Sequence, residues 1–134
     1  MSTAEASGWR KGLVVEDSDD SRVWLMDALA TAFPTLQVEG QATFAQSFEA
    51  AVRLRPDVVL VDLGLPDGEG TDLIRDIRAH VPNAFFIVAT VFDDEKYVFP
   101  ALRAGAHGYL LKDQSQESLA ALLRGIQQGQ AVLS

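Results

Sequence analysis

Residues Val58–Gly70 read VVLVDLGLPDGEG. Four apolar β-formers in unbroken succession predict a strand buried on both faces, as in a parallel sheet covered by helices, instead of the alternation of a sheet with one wet face. The run ends abruptly in a carboxylate, Asp62, and a loop rich in Gly and Pro follows. A core strand thus hands an acid to a loop.

Outward from this stretch the chain alternates two periods. Strand-like runs are expected at Gly12–Val15, Leu36–Glu39, Pro56–Val61, Ala84–Ala89 and Gly108–Leu111. Helical stripes lie between and after them: Val23, Met26, Ala30 and Phe33 ahead of Pro34; Phe44, Phe48, Ala51 and Val52; Leu73, Ile74, Ile77 and Val81 closed by Pro82; and Leu119, Leu122, Leu123 and Ile126. These stripes are core packing. A further segment, Asp94 to Ala104, is helical by composition but carries Pro100. Alternating strands and helices imply right-handed βαβ crossovers. A five-fold βα repeat predicts an α/β, flavodoxin-like, doubly wound five-stranded parallel sheet of order 2-1-3-4-5, whose ligands bind at the carboxyl ends of the strands.

Composition narrows the class. A chain of 134 residues, 48% hydrophobic, is long enough for one domain with its own core. Its 11 Lys and Arg are scattered among 19 Asp and Glu, a formal net charge of −8, which argues against a bare nucleic-acid-binding surface. There is no Cys, hence no disulfide, thiolate metal site or Cys nucleophile. No apolar run approaches the roughly 18 residues that span a bilayer. The opening MSTAEASGWRK lacks a hydrophobic segment of signal-peptide type, so a cytoplasmic location without membrane association is expected.

The residues that close the strands should meet in space. They are Glu16 and Asp17 after the first strand, Asp62 after the third, Thr90 after the fourth and Lys112 after the fifth. Each alone has an ordinary explanation as a cap, turn residue or solvated charge. Together they are three carboxylates, a hydroxyl and an ammonium at one rim. Clustered carboxylates repel one another unless a cation intervenes. Mg²⁺ suits the set, since it prefers oxygen ligands and typically takes one or two carboxylates beside phosphate oxygens. Asp17 and Asp62 are its expected direct ligands, Glu16 reaches it through water, and a loop carbonyl near Gly64 completes the protein's share. Asp62 is then a candidate nucleophile toward phosphorus, with Thr90 and Lys112 placed to hold the transferred oxygens.

At this point the chain resembles the receiver domains of two-component response regulators. The acidic pair in VVEDSDDS, the context VDLGLPDGEG, the Thr in VATVFDD and the Tyr and Lys in GYLLKD match in order and spacing. The resemblance covers roughly Gly12 to Gly129. It implies that Asp62 takes a phosphoryl group from a phosphohistidine on a sensor histidine kinase, with Glu16, Asp17, Asp62 and the Gly64 carbonyl holding Mg²⁺. Thr90 and Lys112 would then grip the phosphoryl group, and Tyr109 would change rotamer as Thr90 moves. The implied role is a switch that catalyses only its own phosphorylation and dephosphorylation.

The tail RGIQQGQAVLS is similar to the start of the linker in NarL/FixJ-type regulators. Residues 1–11 are accordingly read as a flexible lead-in, 12–129 as the receiver and 130–134 as the start of a linker to a DNA-binding domain absent here. The alternative is a stand-alone receiver acting on a partner protein; a homodimer is compatible with either.

Some positions depart from the family pattern. Pro100 should kink, delay or melt the fourth helix, at a cost of about 3 kcal/mol if the helix stayed regular. Val91 is bulkier than the Ala common at that position and should narrow access to Asp62. Neither Gly64 nor Phe92 offers a polar group to orient water, which predicts a long-lived phosphoryl state. Rival readings fare worse. A phosphatase of the haloacid dehalogenase type needs a second Asp where Gly64 stands, and the loop EDSDDS would repel the phosphate of a flavin mononucleotide. A pseudo-receiver, folded alike but never phosphorylated, stays as an alternative, although its usual mark, loss of an acid or the Lys, is missing here. The GEG turn is read as geometry and not as a nucleotide fingerprint, and His80 and His107 as surface or loop residues and not metal ligands.

Overall fold

The strand that opened the reading sits near the middle of the sheet, and its neighbours explain its composition. The computed structural model describes residues 8–91, 95–129 and 132–133. Its main-sheet strands are β1 (Lys11–Val15), β2 (Gln37–Gln41), β3 (Val58–Val61), β6 (Phe85–Thr90), β7 (Gly108–Leu111) and β8 (Val132–Leu133). They lie in the order β2-β1-β3-β6-β7-β8, every pair parallel. The first five reproduce the expected 2-1-3-4-5 order. The helices are α1 (Asp19–Ala32), α2 (Phe44–Leu54), α3 (Gly70–His80), α4 (Glu95–Ala104) and α5 (Gln116–Gln127). A short hairpin, β4 (Gly64–Leu65) with β5 (Gly68–Glu69), stands apart.

Side chains of a strand alternate between faces. Val58 and Leu60 join Leu25, Ala28 and Leu29 of α1 and Leu119 and Leu123 of α5. Val59 and Val61 join Ala50 and Ala51 of α2, Leu73, Ile74 and Ile77 of α3, and Ala101 and Ala104 of α4. All four valine and leucine side chains of β3 are fully buried. Each such burial stabilises by about 1.5–3 kcal/mol, and a polar residue at any of the four would face apolar neighbours.

Several expectations shift. Strand β2 starts one residue and ends two residues later than its apolar run, because register with β1 decides pairing: Lys11 lies opposite Gln37 and Val15 opposite Gln41. Strand β6 shifts by one residue, and β3 begins at Val58 because Pro56 has no amide to pair. The α1 stripe is corrected. Leu25, Ala28, Leu29 and Ala32 face the core, whereas Val23 is 56% exposed. That helix carries apolar residues on more than one side, so periodicity alone leaves its phase open, and the contact with α5 settles it.

Helix α4 continues through Pro100 without a break, so the expected melting there does not occur. The missing donor lies in the second turn, where it forfeits one bond to the Lys96 carbonyl. Burial of Ala101 and Ala104 holds the helix in place. Of the segment read as a linker, Val132 and Leu133 form β8, opposite Gly108 and Tyr109. No helix among the described residues is long and apolar enough to cross a membrane.

Candidate functional site

The site is assembled at the carboxyl ends of β1, β3, β6 and β7. Asp62 follows β3, and its backbone amide donates to the Val15 carbonyl at 2.9 Å, stitching the exits of β3 and β1 together. One carboxylate oxygen, Oδ1, accepts the Leu63 amide at 2.9 Å; the other, Oδ2, lies 3.6 Å from the Lys112 ammonium. Lys112 comes into range because its backbone amide donates to the Thr90 carbonyl at 2.9 Å, extending the β6–β7 ladder by one step.

Glu16 is an acid only 1% exposed, and its partners explain how the fold tolerates it. Its Oε1 accepts from the Lys112 ammonium and its Oε2 from the Ser18 amide at 3.1 Å. Lys112 therefore bridges Glu16 and Asp62, a tie that strand-end reasoning did not foresee. Asp17 is exposed beside them. Its carboxyl is held above the usual carboxylate range, first by hydrogen bonding with Glu16, then by partial burial and by the repulsion of Glu16's charge, against the pull of Lys112. Carboxylate oxygens of Glu16, Asp17 and Asp62 all fall within 4.8 Å of one another. A set of hard oxygens that close, with one member driven toward protonation, fits a small divalent cation.

Thr90 and Gly64 fall at the same rim, whereas Tyr109 lies inside β7, opposite Val88 and two residues short of the strand's carboxyl end. Thr90, at the end of β6, is fully buried, and Tyr109, in the adjacent strand β7, is 2% exposed. Gly64 opens the hairpin; a Cβ there would meet nothing within 4 Å, so its side stands open to solvent. Val91 is 67% exposed at the mouth of the site. Phe92 lies outside the described residues.

Three supports were not singled out by sequence reasoning. Arg22 of α1 donates from Nη1 to the Glu16 carbonyl at 2.9 Å. Asp67, at the hairpin tip, accepts the Phe44 and Ala45 amides at 2.7 and 3.1 Å and so caps α2. Gly70 opens α3 so near the end of β3 that a Cβ would stand 2.5 Å from the Asp62 carbonyl oxygen and 2.9 Å from the Leu63 Cα. The reading of GEG as geometry pointed to that approach; nothing in the sequence separated Arg22 or Asp67 from other surface charges. His80 ends α3, where its Nδ1 meets the Asp76 carbonyl, and His107 sits in the turn before β7, at the far rim.

Known proteins share this arrangement. Residues 13–124 match the response regulator receiver domain family. The chain is 39% identical over 98 residues to YxjL, an uncharacterized transcriptional regulatory protein of Bacillus subtilis, covering 72% of this chain and 45% of that one. It is 33% identical over 124 residues to the DNA-binding transcriptional activator DevR/DosR of Mycobacterium tuberculosis, covering 92% and 57%. The chain thus spans about half the length of these curated relatives. In three dimensions it superposes on the signal receiver domain of NarL from Mycobacterium tuberculosis with a TM-score of 0.80 at 24% identity, covering 91% of this chain and 98% of that one. With the family match spanning most of the sequence and the fold agreeing, the chain belongs to the receiver domains of two-component response regulators.

Proposed function

We propose that Asp62 is the phosphoacceptor of a signalling switch. The observation that carries this reading is the convergence of Glu16, Asp17 and Asp62 within 4.8 Å, with the Lys112 ammonium 3.6 Å from Asp62 Oδ2. The donor is the phosphohistidine of a sensor histidine kinase. A carboxylate oxygen of Asp62 forms the new P–O bond as the P–N bond breaks, and the imidazole leaves with the electron pair and takes up a proton. Glu16, Asp17, Asp62 and the Gly64 carbonyl would hold Mg²⁺, which supplies charge neutralisation for a phosphoryl group approaching an acid cluster. Lys112 is placed to follow the phosphoryl oxygens, exchanging its hold on Glu16 for them. Thr90 supplies a hydroxyl from the buried end of β6, and Tyr109 shares the ladder that would transmit its movement.

The chain turns over no separate substrate; it catalyses only its own phosphorylation and slow hydrolysis. The lack of a side chain at Gly64 to orient an attacking water supports a long-lived phosphoryl state. The similarity to transcriptional regulators of about twice the length supports an output through a DNA-binding domain in the cytoplasm. Incubation with Mg²⁺ and acetyl phosphate, followed by intact mass, tests the core of the proposal. One phosphoryl group should add to the native chain and none to Asp62→Asn; equal labelling of both removes Asp62 as acceptor.

A further inference from the structure

We infer that Arg22, with Gly40 as its floor, is a positioning residue that sets the place of the cation-binding acids; the inference rests on the reading of Glu16, Asp17 and Asp62 as a Mg²⁺ site. Glu16 and Asp17 are joined by one peptide at the exit of β1, where the strand ladder runs out. The Glu16 amide is taken by the Gln41 carbonyl at 3.0 Å, and the Val15 carbonyl by the Asp62 amide. The Glu16 carbonyl lies beyond the ladder, and the Arg22 guanidinium reaches it at 2.9 Å. The same group's Nη2 holds Asp19 at 2.6 Å, so the planar fork of a side chain only 20% exposed is fixed at two points. Because the Glu16 carbonyl belongs to the peptide that carries Asp17, clamping it fixes the relative placement of a buried acid and its exposed neighbour.

The clamp needs room, and Gly40 of β2 provides it. A Cβ at position 40 would stand 3.0 Å from Arg22 Cδ and 3.2 Å from its Cγ, as well as 2.7 Å from Met26 Sδ. The Arg22 stem therefore crosses the edge strand where there is no side chain to block it. The glycine serves close approach, not unusual backbone torsion.

Charge and placement make opposite predictions, which gives the inference a sign. A cation beside an acid cluster repels a second cation, so if Arg22 acted by charge alone its removal would tighten Mg²⁺ binding. If it acts by placement, removal loosens binding, and outer partners of a metal site typically matter by about tenfold. Calorimetric titration of the whole chain with Mg²⁺ decides between them. Arg22→Met should weaken binding by about tenfold. Gly40→Ala, which leaves every charge in place, should weaken it in the same direction, and the double variant should lose no more than Arg22→Met alone. The amide resonance of Ser18, which donates to Glu16, should shift in both variants. Thermal unfolding in chelator shows that each is folded; if Arg22→Met is not, Arg22→Lys and Gly40→Ala carry the test, each expected to weaken binding. Unchanged or tighter binding in the variants, with the native chain binding normally, overturns the positioning role and leaves the Mg²⁺ site standing. No binding by the native chain overturns both.

Discussion

Strand β3 enters the sheet beside one aspartate, Asp57, and leaves it at another, Asp62, and the two have opposite fates. At the amino rim, Asp57 Oδ2 accepts the Arg10 amide at 2.7 Å and the Lys11 amide at 3.0 Å. It seals the start of β1 against the start of β3. At the carboxyl rim, one oxygen of Asp62 accepts its neighbour's amide, while the other faces an ammonium that Glu16 also holds. The difference follows from backbone polarity. The amino ends of parallel strands leave N–H donors that a carboxylate can satisfy, whereas the carboxyl ends leave carbonyls that cannot serve it. Acids at the second rim must find cations. Lys112 answers that demand within the chain, Arg22 takes the Glu16 carbonyl, and a divalent ion would answer the rest.

Exchanging the two aspartates for alanine gives the largest effects. Asp57→Ala should leave two strand-entrance amides to water, lowering stability by about 1 kcal/mol while keeping full phosphoryl labelling. Asp62→Ala should abolish labelling and leave thermal stability equal or higher, because a repelling carboxylate has gone. Denaturant unfolding and intact mass on the pair read both halves. A labelling defect in Asp57→Ala that persists well below its melting temperature would break the comparison.

Asp67 sharpens it, because this third aspartate sits near the active rim yet is held by helix amides. The Phe44 and then the Ala45 N–H hold its carboxyl below the usual carboxylate range. A lowered native value means that its contribution is complete above 3.8, the ordinary value, and is lost as the pH falls through the lower native one. Asp67→Ala should therefore exchange the Phe44 and Ala45 amides several-fold faster at pH 7, with the gap from the native chain closing only in strong acid. A gap that closes near neutrality would mean that the carboxylate is not what ties the hairpin to α2.

Sequence reading reached the strand order and the acids and amine of the rim because each was marked by a sharp break, an apolar run that stops at a charge; Thr90 was reached by its place at a strand end. The helix phase of α1 escaped it, since Val23 and Leu25 are equally apolar and only tertiary contact picks between them. The β4–β5 hairpin escaped because four residues around Pro66–Asp67 carry no periodicity. Pro100 misled as to melting because its cost was assessed locally; the helix stays continuous across it, with Ala101 and Ala104 buried beyond it. Arg22 was invisible for another reason. Its role depends on Gly40, eighteen positions away and on a different element, and no local pattern links an arginine to a gap it will fill.

His107 supplies the finest test of the contrast between rims, because it too belongs to the amino side. Its Nδ1 accepts the Phe86 amide at 3.0 Å, doing for β6 what Asp57 does for β1, and its ring lies 4.7 Å from that of Phe85. Partial burial, aided by the positive charge of Arg78, pushes the imidazole below its ordinary 6.5. A depressed native value means that the unfolded chain takes the proton first. Stability from this group is therefore whole above 6.5 and is lost as the pH falls through the native value. Protonated Nδ1 cannot accept, so the Phe86 amide should exchange faster in mild acid. His107→Asn keeps an oxygen near the same place without a proton to gain, and should flatten the decline in melting temperature between pH 6.5 and 5 by a small but resolvable amount. The carboxyl rim should not notice: phosphoryl labelling of His107→Asn at pH 7 should equal that of the native chain, and a loss there would show that the two rims are coupled through β6 and not independent.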